Sequence, residues 1–235
     1  PLSIRVGAYE NKPKIFTDES GNVVGLFADI LNYISKKEGW QLEYVHGSWS
    51  QCLKRLEANE IDLMVDVAYS EKRAQKYHFT NVTVLINWAI VYAGTNQNIE
   101  SLIDLNDKRI AVMKASIHTE GVEGLKSLAK NFDINCRFVE VESYQEVFER
   151  LSNGEVEAGV VNRIYGSLYS EGYNVRKTSI TPNPRRRRAA LPRGEVVSPL
   201  RATRTEEDGT YCFEGVGDRV VMIVSKKGYA TFRDP

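Results

Sequence analysis

The feature that most constrains this chain is a repeated alternation of short apolar strands with amphipathic helices. Leu2–Ala8 alternates apolar and polar residues as a strand does, and Leu26, Phe27, Ile30, Leu31 and Ile34 then fall on one helical stripe. That stripe stops at Gly39, a residue suited to a helix end because it takes a left-handed backbone without steric cost. Residues 41–45 read as a second strand. Ser48-Trp-Ser-Gln51 reads as a capping box opening a helix with Trp49, Cys52, Leu53 and Leu56 on one face, and 61–67 reads as a third strand. A further apolar strand at 87–93 leads into Gly94-Thr-Asn-Gln-Asn98, which reads as a crossing between two lobes.

The pattern then restarts. Strands are expected at Arg109–Met113, Arg137–Val141 and 157–161, with helices over 119–130 and 144–151, the second opened by a capping box at Ser143-Tyr-Gln-Glu146. Arg55-Leu-Glu-Ala-Asn-Glu-Ile-Asp62 also lines up with Arg150-Leu-Ser-Asn-Gly-Glu-Val-Glu157, each at a helix-to-strand junction. Two βαβ-rich lobes follow, and ligands of such sheets bind beyond the strand carboxyl ends. A cleft between the lobes is the expected site.

Charge and composition narrow the function. Of 235 residues, 31 are Lys or Arg and 31 are Asp or Glu, so nothing global draws the chain to nucleic acid or an anionic membrane. Its longest apolar stretches, 88–93 and 220–224, fall short of the roughly 18 residues that span a bilayer, so this piece reads as soluble. No charged-then-apolar leader precedes Leu2, and an export signal is expected to have been removed or to lie elsewhere. Cys52, Cys136 and Cys212 form no C-x-x-C pair, which points to inert thiols. His46, His78 and His118 lack metal-ligand spacing and read as surface or hydrogen-bonded side chains. No phosphate-cradling loop and no nucleophile elbow occurs. No metal, cofactor or catalytic group is therefore expected.

Binding chemistry has more support. The segment from Asp62 to Arg73 reads as a strand ending at Tyr69 and running into a helix capped by Ser70, with Arg73 in its first turn. A guanidinium beside helix N–H groups suits a carboxylate, because the fork grips two oxygens; a solvated arginine is the plainer alternative. Asp66, inside an apolar strand, either holds a ligand ammonium or sits at an exposed strand end. Tyr9, Phe16, Trp49 and Trp88 lie at element ends, where aromatic rings line small-molecule clefts or simply pack the core; for Trp88, packing is the better reading.

In this order the aromatic loop, Gly25-Leu-Phe-Ala-Asp29, the Trp49 helix, Asn59-Glu-Ile-Asp62, Ser70-Glu-Lys-Arg73 and His78-Phe-Thr80 resemble the extracellular solute-binding proteins of the polar amino acid type. The resemblance covers about residues 3–181 and is strongest to variants that serve as ligand-sensing domains of membrane histidine kinases. It implies an α/β, two-lobed, periplasmic-binding-protein-like fold with a hinge and an interlobe cleft, in a periplasmic or extracellular setting. It also implies Arg73 on a ligand carboxylate and stacking aromatics at Phe16 and Trp49. The family often has Thr or Ser near Ala68, a Gly-Thr pair near Ala115-Ser116, and an amine-holding aspartate near Asn162. Here Ala68 offers no hydroxyl, Ser116 does, and Asn162 is uncharged, so either the ligand lacks an α-amine or Asp66 holds it.

The expected role is a sensor domain for a small carboxylate, amino acid or organic acid, with membrane attachment and pairing through a parent receptor. A transporter-associated binding protein is the alternative. A dehydratase-like enzyme using Glu10 or Asp66 is another. The expected lobes are 1–93 with about 179–200, and 94–178. After Ile180 the resemblance fails: Arg185-Arg-Arg-Arg188 cannot sit in a strand with a buried face. The tail is expected to be loosely ordered over 182–205 and to form two or three short strands over 206–235, with a turn at Asp208-Gly209.

Overall fold

The computed structural model describes residues 2–80, 83–182, 201–205 and 211–214. The chain enters through β1 (Leu2–Ala8), turns tightly at 11–15, and forms a short antiparallel ribbon from β2 (Phe16–Thr17) and β3 (Val23–Val24). α1 (Leu26–Glu38) buries Phe27, Ala28, Leu31 and Ile34, and Gly39 ends it at φ 67°. β4 (Trp40–His46) then pairs parallel with β1. α2 (Trp49–Glu57) opens on the expected capping box: the Gln51 N–H donates to Ser48 Oγ, and the Ser48 N–H donates to Gln51 Oε1 at 2.8 Å. β5 (Leu63–Met64) closes the parallel sheet in the order β4-β1-β5.

After α3 (Glu71–Ala74), a single turn, the chain passes to a second sheet. It comprises β6 (Ala89–Gly94), β7 (Arg109–Met113), β8 (Arg137–Val141), β9 (Ala158–Asn162) and β10 (Val175–Lys177), in the order β10-β6-β9-β7-β8. β8, β7 and β9 run parallel, and β6 is antiparallel to β9 and β10. α4 (Ile117–Glu120), α5 (Leu125–Asn131), α6 (Tyr144–Ser152) and α7 (Arg163–Tyr169) connect and cover it. Both faces are buried, which explains the unbroken apolar runs. Ile90, Tyr92, Ala111, Met113 and Val161 join an apolar cluster that continues into the first lobe. Ala89, Val91, Ile110, Val112 and Val160 point the other way, onto Leu105, Leu125 and Ile180. Outside both sheets, β11 (Arg201–Thr205) pairs antiparallel with β12 (Tyr211–Glu214).

Four expectations are corrected. The strand over 61–67 shortens to β5 because Asp66 adopts φ 55°, which turns the chain out of the extended form. The helix over 119–130 breaks at 121–124, where a Cβ on Gly121 would stand 2.5 Å from the Ile117 oxygen and one on Gly124 equally close to that of Thr119. The boundary at 93 falls inside β6, all of which belongs to the second sheet, and residues near 179 stay there too: the Val91 N–H donates to the Ile180 oxygen at 2.9 Å. Loose order fails for Arg201–Thr205, a strand; residues 183–200, 206–210 and 215–235, with the expected turn at Asp208-Gly209, lie outside the described residues.

Candidate functional site

Lys14 reaches the cleft through backbone geometry. The Asn11 N–H donates to the Ile15 oxygen and the Lys14 N–H to the Asn11 oxygen, each at 2.8 Å, folding 11–15 into a tight turn. The carbonyl of Lys14 then accepts from Phe27 N–H at 2.9 Å, so the turn caps the start of α1. Gly25 permits this approach: its φ is 109°, and a Cβ there would lie 2.7 Å from the Pro13 oxygen. Lys14 is buried, and its ammonium is paired with the carboxylate of Asp66. Asn11 Nδ2 donates to the same Asp66 oxygen at 2.7 Å. Burial pushes the Asp66 carboxyl above its ordinary value, with Lys14 and Arg73 opposing the shift.

Arg73 stands beside this pair. Ser70 caps its turn, with the Arg73 N–H donating to Ser70 Oγ at 3.2 Å. Tyr77 anchors the same turn to α2 by donating to Glu57 Oε1 at 2.6 Å. The Arg73 fork donates from Nη1 to the Ala68 oxygen and from Nη2 to the Ala115 oxygen, both at 3.0 Å. The second bond crosses from the first lobe to the second. Trp49 Nε1 donates to that same Ala115 oxygen at 3.3 Å, and the guanidinium lies 5.5 Å from the centroid of the Trp49 ring. Ala115 adopts φ 56° just past β7. Tyr9 meets Trp49 edge-on at 5.1 Å and donates to the Val65 oxygen at 3.1 Å. Burial holds the Tyr9 phenol well above its ordinary range, and the nearby Asp66 charge adds to the shift.

The second lobe contributes neutral groups. Asn162 ends β9, caps α7 through the Tyr165 N–H at 2.9 Å, and donates from Nδ2 to Asn11 Oδ1 at 3.2 Å across the cleft. Ser116 is buried and caps α4 by accepting from the His118 N–H at 3.2 Å. Tyr144, at the start of α6, is buried against Ser116 and Asn162, and burial holds its phenol protonated. A second crossing joins Ser50 Oγ to Glu142 Oε2 at 2.8 Å.

The structure therefore brings Arg73, Trp49, Tyr9, Asp66, Ser116 and Asn162 to one place, with Ala68 contributing its backbone oxygen. Phe16 lies in β2 under the Lys12 ammonium, 5.3 Å from its ring centroid, and no ring contact among the described residues joins it to Tyr9 or Trp49. Two readings change. Asp66 is neither at an exposed strand end nor unpaired. His118 is not a surface histidine: burial, with Lys14 and Arg73 nearby, pushes it down to about 3, and Nδ1 has no hydrogen-bond partner among the described residues. Trp88 is half-buried with the Arg163 guanidinium 4.3 Å over its ring. Sequence reasoning missed Lys14, Asn11, Tyr144 and the Ala115 carbonyl; the apolar Ile15 and Phe16 after Lys14 were the one hint of its burial.

The arrangement lies beyond the carboxyl ends of the parallel strands, where α/β sheets bind ligands. A cavity of about 290 Å³ lined by Asp107, Arg109, Asn135, Arg137 and Glu157 sits at the opposite end of the second sheet. Among the described residues no group of His, Cys, Asp and Glu is arranged to hold a metal, and no helix is long and apolar enough to cross a membrane.

Comparison with solved structures defines the class first. An ancestral arginine-binding protein bound to arginine matches with a TM-score of 0.71 at 20% identity, covering 97% of this chain and 86% of that one. A histidine kinase sensor domain with similarity to periplasmic binding proteins matches with a TM-score of 0.64 at 21% identity, covering 75% of each chain. The fold is the two-lobed fold of periplasmic binding proteins. Residues 4–119 match the bacterial extracellular solute-binding proteins, family 3. The "Probable amino-acid-binding protein YxeM" of Bacillus subtilis is 24% identical over 161 residues, 68% of this chain and 59% of that protein. A "Probable amino-acid ABC transporter-binding protein" of Haemophilus influenzae is 26% identical over 42% of this chain and 39% of its own length. The match thus spans little more than half of the curated relative with the longer alignment.

Proposed function

We propose that this chain binds a small carboxylate-bearing solute between its lobes and acts as the extracytoplasmic sensor domain of a signalling receptor. The observation that carries the binding role is the Arg73 fork, which spans the seam from the Ala68 oxygen to the Ala115 oxygen. A guanidinium has five N–H donors, so a carboxylate can be gripped while lobe contacts persist. Tyr9 and Trp49 supply apolar walls, and Ser116 and Asn162 supply dipoles. Likeness to a kinase sensor domain supports the signalling context. The relatives named as transporter-binding and amino-acid-binding proteins support the alternative, delivery to a transporter.

An enzyme reading has a weaker footing, although an ancestral amino-acid-binding precursor of cyclohexadienyl dehydratase shares the fold. Glu10 is exposed and accepts from the Thr17 N–H, while Asp66 is engaged by Lys14 and Asn11. Neither is poised as an acid or base. The test is calorimetry against amino acids and organic acids with wild type and Arg73→Ala. Binding lost in the variant, which loses no core packing, is the expected result; equal affinities would overturn the role of Arg73. Arg73→Lys should also bind at least about tenfold more weakly, since an ammonium lacks the planar fork.

A further inference from the structure

We infer that the Lys14 ammonium fills the place a ligand ammonium would need, so the cleft selects carboxylates that carry no α-amine, such as 2-oxo and 2-hydroxy acids. This rests on the carboxylate-binding reading above and specifies its substrate class. The charges within the cleft decide it. Two cations, Lys14 and Arg73, face one carboxylate, Asp66, so the site is complemented by a ligand with one net negative charge.

A zwitterion brings no net charge and needs an anion for its ammonium. Asp66 is the buried carboxylate at the seam, and one of its oxygens already accepts from both Lys14 and Asn11. Glu142, also at the seam, is held by Ser50 and Lys114 and is largely exposed. The second lobe offers Asn162, whose amide oxygen accepts from Asn87 Nδ2 at 3.1 Å and from the Tyr165 N–H. Ser116 and Tyr144 are neutral hydroxyls, and His118 is neutral at any physiological pH. A ligand ammonium would meet dipoles, two like charges and a carboxylate already neutralised by Lys14, whereas a keto or hydroxyl oxygen suits the amide, hydroxyl and imidazole groups at hand.

The test uses ligand pairs that share a carbon skeleton: alanine with pyruvate and lactate, phenylalanine with phenylpyruvate, and glutamate with 2-oxoglutarate. Calorimetry is run on wild type, Arg73→Ala and Lys14→Met. In wild type the amine-free member of the binding pair should be at least about tenfold tighter, because the ammonium is buried without an anion. Lys14→Met, which releases Asp66, should narrow or invert that ratio. An amino acid that binds wild type more tightly, with affinity lost in Arg73→Ala, would overturn this inference and leave carboxylate binding standing. No binding across the pairs, or binding indifferent to Arg73, would overturn both. If Lys14→Met fails to fold, the wild-type ratios alone decide.

Discussion

Lys14, Asp66 and Arg73, the buried and half-buried charges of the cleft, all come from the first lobe, whereas the second lobe faces them with Ser116, Tyr144, Asn162 and the Ala115 carbonyl. The Lys14–Asp66 pair is made within one lobe, and its turn is fastened to α1 by backbone hydrogen bonds. Parting the lobes therefore does not separate that buried ion pair, a step that would expose or strand charges at a cost of several kcal/mol. It exchanges hydrogen bonds for bonds to water, each worth about 1 kcal/mol net. Charge in the cleft is set by one half of the molecule, and the bonds named above that reach the other half are single hydrogen bonds.

The largest break in this comparison should come from Lys14→Met. It leaves Asp66 buried without its cation, and chemical denaturation should record a loss of about 3–5 kcal/mol. Adding Asp66→Gly should recover most of it, because glycine accepts the φ of 55° without strain. An unchanged midpoint in the single variant would mean that water replaces the pair. On the neutral wall, Asn162→Ala removes the cap of α7 and the bond to Asn11, and should cost about 1–2 kcal/mol by the same measurement. A loss as large as that from Lys14→Met would erase the contrast between the walls.

The effect that is smallest at neutral pH, and grows only in acid, concerns His118. His118 falls from 6.5 to about 3 on folding, so the unfolded chain binds the proton first. Its contribution is complete above 6.5 and is lost as pH falls toward 3. His118→Gln should flatten the slope of stability against pH in that window. Asp66, raised by burial, acts with the opposite sign, giving stability below its unfolded value that fades as pH rises through its folded one. An unaltered acid limb in His118→Gln would place the histidine in contact with solvent.

Much of the fold was legible because its signals are local. Gly39, Ser48 and Ser70 sit where helices end or begin, and each does so through bonds to residues within four positions. Arg73 was legible for the same reason. The Lys14–Asp66 pair was not, since it joins a surface-like turn to a strand end 52 residues away. The turn of Asp66 to positive φ, which cut short the expected strand, also has no local signature, because aspartate is ordinary in either setting. β11 was missed since Arg201-Ala-Thr-Arg-Thr205 alternates weakly, and its pairing with β12 is a tertiary fact.

Trp49 gives the Ala115 seam one more property. Its indole N–H is committed to an oxygen of the opposite half, and a guanidinium cation lies over its ring. The oxygen leaves the indole when the halves part and the cation, from its own half, stays, while Trp40, on β4, packs against the first lobe's core. Indole emission shifts in colour with such changes of local polarity. The molecule thus carries its own dye at the seam, and the hue of one ring reports how far apart its halves stand.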